Sequence, residues 1–85
     1  MERTHSEIDA LVREEKRLTA VESHHEAWAD GLSAGIEPDI IAEAALETAF
    51  VEILRTAGET AALALLDQIR DRVIAGEFGP DPIRH

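Results

Sequence analysis

PDIIAEAALETAFVEILRTA, residues 38–57, is the stretch on which the fold turns. Ala42, Ala45, Leu46, Ala49, Phe50, Ile53, Leu54 and Ala57 recur at three- and four-residue steps. At 100° per residue they cover an arc of roughly 180°, wider than one neighbouring helix covers. Pro38 suits the first helical position, where its missing N–H has no partner to lose. Asp39 sits at the favourable end of the helix dipole, and Gly58 is placed to terminate the helix. Ile40, Ile41 and Val51 fall outside the arc, as would residues awaiting a second helix from the same chain or from another copy. Glu43 and Glu47 lie near the boundary between the arc and this smaller patch.

Working outward toward the C-terminus, Glu59 follows Gly58 directly, which predicts a tight turn and an antiparallel helical hairpin. Ala62, Leu65, Leu66, Ile69 and Val73 form the core stripe of a third helix, with Leu63 and Ile74 off it. Gly76 fits a C-cap, and Phe78 is placed to fold back over the last turn. Two prolines exclude helix from the tail 79–85, which is expected to be frayed.

Toward the N-terminus, Thr4-His5-Ser6-Glu7 fits a capping box. Ile8, Leu11 and Val12 begin an apolar stripe, with Asp9/Arg13 and Glu14/Arg17 spaced as ion pairs on the wet side. Leu18, Val21, His25, Trp28 and Leu32 continue as a heptad-like seam. The two stripes centre roughly 120° apart, far beyond the ~20° per heptad that supercoiling absorbs. The first helix therefore meets different neighbours in its two halves, or kinks or breaks near Arg17–Thr19. A second capping box, Thr19-Ala20-Val21-Glu22, would serve a break. Gly31 and Gly35 bracket the helix end. The expectation is a single all-α domain over residues 1–78, with helices near 5–31, 38–57 and 59–75. The long first helix packs on the hairpin, and dimerisation completes a helical bundle.

Composition narrows the function classes. The chain carries 18 acidic and 8 basic residues, a net charge of −10 over 85 residues. Between Arg17 and Arg70 the sole Lys or Arg is Arg55. Nucleic-acid binding needs a basic face to displace phosphate counterions, so direct binding is excluded as an expectation. An anionic membrane surface is disfavoured for the same reason. The longest uncharged stretch, Thr60 to Leu66, is too short to span a bilayer. The N-terminal MERTHSEIDA lacks the layout of a signal peptide. Without cysteine there is no thiol or disulfide chemistry. These features fit a cytoplasmic protein.

The constellation nearest to chemistry is Glu22-Ser23-His24-His25-Glu26. Glu22 and His25 have the Glu-x-x-His spacing of carboxylate-bridged di-metal bundles, and Glu43 and Glu47 would supply partner carboxylates. A divalent metal held by Glu22, His25, Glu43 and Glu47 at a subunit interface, with oxidase-like activity, is thus the one enzyme reading entertained. A complete bundle site needs two such motifs and the chain has one, so His25 reads first as an interface histidine and the two glutamates as solvated rim. Trp28, at heptad spacing with Val21, His25 and Leu32, reads as a packing anchor rather than a stacking platform. His5, His24 and His25 would give an interface pH dependence if they lie in it. Ser6, Ser23 and Ser33 fall at caps or loops, and the isolated glycines form no phosphate loop.

The function expected is that of a small acidic interaction module, adaptor or regulator, without enzymatic activity or cofactor. It works as a homodimer and binds a basic protein partner. Its interface residues are Leu18, Val21, His25, Trp28, Leu32, Ile40, Ile41, Val51, Leu63 and Ile74. An acidic mimic of nucleic acid is a weaker variant, because the charge is spread evenly along the chain.

Overall fold

The computed structural model describes residues 4–80, and among them the chain forms three helices and no strand. These are α1, His5–Ser33; α2, Pro38–Thr56; and α3, Glu59–Ile74. The chain is all-α. The tail expected to be frayed lies outside the described residues from position 81 on.

α1 is one unbroken helix of 29 residues. Its start follows from sequence: the Thr4 hydroxyl oxygen accepts from the Glu7 N–H at 3.1 Å, the capping half of the Thr-x-x-Glu pair. At the junction of the two apolar stripes no second helix begins. Thr19 donates its hydroxyl to the Glu15 carbonyl at 3.0 Å, one turn back. A threonine inside a continuing helix has that carbonyl within reach, so the second capping box is not used.

The helix also runs past Gly31, which was expected to end it. The Gly35 N–H donates to Leu32 O at 3.0 Å and the Ile36 N–H to Gly31 O at 3.1 Å. This pair of bonds closes a Schellman motif around Gly35, which has a φ of 84°. Gly31 has a different reason to lack a side chain. A Cβ there would lie 2.8 Å from Ile41 Cδ1 and 3.2 Å from Ile41 Cγ1. Ile41, expected to meet a second helix from the same chain or from another copy and named among the interface residues, is half-buried against this bare stretch of its own chain's first helix.

Between α2 and α3 stand two residues, Ala57 and Gly58. Gly58 has φ 90° and ψ 176°. Its N–H donates to Ile53 O at 3.0 Å, and its carbonyl accepts the Ala62 N–H at 3.1 Å. One residue thus closes α2 and opens α3. At the far end of α3 the Schellman bonds recur, Gly76 N–H to Val73 O at 3.0 Å and Glu77 N–H to Arg72 O at 3.1 Å. Arg72 locks this end further: its Nε donates to Glu77 Oε1 at 3.0 Å. Its guanidinium carbon lies 4.6 Å from the Phe78 ring centroid, so Phe78 does fold back over the last turn.

The chain groups into two compact units, with the boundary inside α2 between Ala42 and Glu43. In the first, Gly31, Ile41 and Ala42 are half-buried and every other described residue is exposed. In the second, Ala62 is the one buried residue among those described, with Phe50, Ile53, Gly58, Ala61, Leu65, Ile69, Arg72 and Gly76 half-buried. The covered face of α3 is therefore Ala61, Ala62, Leu65, Ile69 and Arg72. It is turned by roughly 50° on a 100° wheel from the stripe of large apolar residues. Leu66 and Val73, expected in the core, are 49 % and 60 % exposed. Two adjacent alanines permit close approach, and the long Arg72 side chain covers apolar surface while its charged end stays wet.

Candidate interaction surface

Each of the two units leaves large apolar side chains in water. Seventeen large apolar residues among those described are exposed, from 37 % at Trp28 to 63 % at Ile74. Of the interface residues named from sequence, Leu18, Val21, His25, Trp28, Leu32, Ile40, Val51, Leu63 and Ile74 are all exposed. Ile41 departs from the set, because Gly31 provides a place for it. Sequence reasoning missed Leu46, Leu54, Leu66 and Val73, which it assigned to the core. An apolar period marks which side of a helix is greasy but not which part of that side its own chain covers.

On α1 the seam is helical surface throughout. Val21 and Trp28, at 38 % and 37 %, are its least exposed large apolar members. Arg17, Ala20, Val21, His24 and His25 line a hollow on this face. A second hollow is lined by Glu15, Lys16, Thr19, Ala20, Ser23 and His24. Both hollows are walled by one helix, which leaves no opposing wall to exclude water from a reacting group. His24 is oriented by its own backbone: Nδ1 lies 2.8 Å from the Ala20 carbonyl. A carbonyl only accepts, so Nδ1 is the donor in this contact.

The charged rim is mostly solvated. Arg17 grips Glu14 with two hydrogen bonds, Nη2 to Oε2 at 2.7 Å and Nε to Oε1 at 2.9 Å. These bonds hold the Glu14 carboxyl below the usual carboxylate range and raise the Arg17 guanidinium further above its own. Arg55 pairs with Glu52 in the same i,i+3 manner. The expected Asp9/Arg13 pair is not formed. Exposed i,i+4 pairs contribute only a few tenths of a kcal/mol, comparable with the entropy of holding two long side chains. Arg13 instead lines a basic hollow with Lys16 and Arg17.

Glu22 and His25 lie on α1, Glu43 and Glu47 on α2. Among the described residues of the single chain, no three or more His, Asp or Glu side chains gather as a metal site. No described helix is long and apolar enough to cross a membrane. Comparison with protein-family models, curated proteins and solved structures found no match to this chain. The described surface offers exposed apolar side chains interspersed with carboxylates.

Proposed function

We propose that the chain is a small acidic interaction module, an adaptor or regulator that works as a homodimer and binds a basic protein. The observation that carries this reading is, among the described residues, the exposure of seventeen large apolar side chains against one buried alanine. A scattered exposed leucine is ordinary, whereas a chain that leaves most of its described large apolar residues exposed has apolar area to offer a partner. Fully burying a large apolar side chain is worth about 1.5–3 kcal/mol, so each half-exposed one retains roughly 1 kcal/mol for association.

In this reading α2 and α3 form an antiparallel hairpin, and two copies complete a helical bundle. Interface residues include the α1 seam and Ile40, Val51, Leu63 and Ile74. The net charge of −10 then selects the second partner. Distributed negative charge accelerates encounter with a basic surface and makes that encounter salt-sensitive. The setting proposed is the cytoplasm.

The test is light scattering together with native mass spectrometry across the micromolar range. A dimer is expected, accompanied by a change in Trp28 fluorescence as the seam becomes covered. A clean monomer at high micromolar concentration, with Trp28 emission independent of concentration, would overturn the reading.

A further inference from the structure

Because α1 does not break at Thr19, the heptad frame runs without interruption through its C-terminal half. The seam places Leu18, His25 and Leu32 at one class of inward position and Val21 and Trp28 at the other. The two flanks of the seam then differ in sign. Glu15 and Glu22 stand on one side, Arg17 and His24 on the other. Every one of these residues is exposed.

The hollow on this face is lined by Val21, His24 and His25 together with Arg17 and Ala20. In a heptad frame, residues at the positions of Val21, His24 and His25 frame three sides of the hole that receives a knob from a facing helix. The fourth side falls to Trp28.

We propose that the dimer forms by parallel, in-register pairing of α1 with α1 of a second copy, along Leu18–Leu32. This rests on the homodimer reading above and assigns its axis. The occupant is chosen by charge. In a parallel pair the basic flank of one helix faces the acidic flank of the other, five residues on, so Arg17 meets Glu22 of the second copy twice by symmetry. In an antiparallel pair each flank faces its own kind, and both Arg17–Glu22 attractions are lost. Two heptads are short for a free-standing coiled coil. The seam therefore fixes orientation and register, and the remaining exposed apolar groups add area. Arg17 keeps its bonds to Glu14 of the same helix at one edge of the guanidinium, leaving other N–H groups for the partner carboxylate.

The chain contains no cysteine, which makes cross-linking unambiguous. Leu18→Cys in the full chain should form a disulfide-linked dimer under mild oxidation, because position 18 faces its own copy. An antiparallel pair in the same heptad frame sets one inward class against the other, so position 18 would face position 28. It would cross-link only in a mixture of Leu18→Cys with Trp28→Cys.

Arg17→Glu should weaken dimerisation about tenfold, because two exposed pairs turn from attraction to repulsion. Arg17→Glu/Glu22→Arg should restore it, although the Glu14 contact stays lost. Cross-linking only in the mixture, or a double swap no better than the single one, would overturn the parallel pairing while leaving a dimer intact. A dimer that cross-links in neither experiment, with far-ultraviolet circular dichroism unchanged, would also overturn it. A wild-type monomer would overturn the homodimer reading itself.

Discussion

Gly58 offers the sharpest test of how the backbone is built. Its φ of 90° and ψ of 176° lie in a region essentially reserved for glycine, where an L-residue costs of order 1–3 kcal/mol. Nothing lies within 4 Å of a Cβ placed there, so packing adds neither penalty nor reward. Replacing glycine also stiffens the unfolded chain, a gain of about 0.4–1 kcal/mol. Gly58→Ala should therefore destabilise by roughly 1–2 kcal/mol. For a chain of this size that lowers Tm by about 5–15 °C.

Thermal unfolding followed by far-ultraviolet circular dichroism reads this directly, at one fixed protein concentration, since a dimer makes Tm depend on concentration. The chain is short enough for chemical synthesis with D-alanine at position 58. The mirror image of Gly58's backbone is ordinary extended conformation, so the D-residue should stabilise by about 0.4–1 kcal/mol where the L-residue destabilises. Equal melting temperatures for glycine, L-alanine and D-alanine would refute the reasoning.

Two further expectations concern α1. Thr4→Ala should cost about 1 kcal/mol locally and accelerate hydrogen exchange at the Glu7 amide, whose acceptor it removes. Exchange in α3 should not change; an unprotected Glu7 amide in the parent protein would contradict the cap. The Glu14–Arg17 contact should make helicity pH-dependent. Because the Glu14 carboxyl is held below its ordinary value of 4.5, the contact's contribution is present above that pH. It is lost as the pH falls through the lowered value. Helicity of the parent and of Glu14→Gln should differ above pH 4.5 and converge in acid; a constant difference across the titration would remove this pair from the account.

Helix identity was legible because caps and punctuation are local. Thr4, Pro38, Gly58 and Gly76 each act within a few residues of themselves, and all four do what their chemistry implies. Roles set by contacts across the sequence were not legible. Gly31 reads as a terminator until Ile41 is seen against it, ten residues on. Thr19 reads as a cap unless the helix before it continues, and that continuity depends on more than Thr19. The face of α3 that its own chain covers was misplaced because a wheel weights Leu66 and Val73 by size, whereas Ala61 and Ala62 allow the approach. The candidate surface was half legible for the same reason: Leu63 and Ile74 were named and Leu66 and Val73 were not.

The near-absence of buried apolar groups has a thermal consequence. A domain of 85 residues with ordinary burial gains about 1.0–1.3 kcal/mol/K in heat capacity on unfolding, mainly from newly wetted apolar surface. In a single copy of this chain about half of the surface of seventeen large apolar residues is wet already, and Ala62 is the lone buried apolar residue among those described. Its stability should vary gently with temperature and lack a pronounced maximum. If, as proposed, a second copy covers the seam, the strongly curved profile of an ordinary globular protein would belong to that dimer. Curvature in a calorimetric scan, rather than any single melting point, thus measures how much of this fold one chain completes by itself.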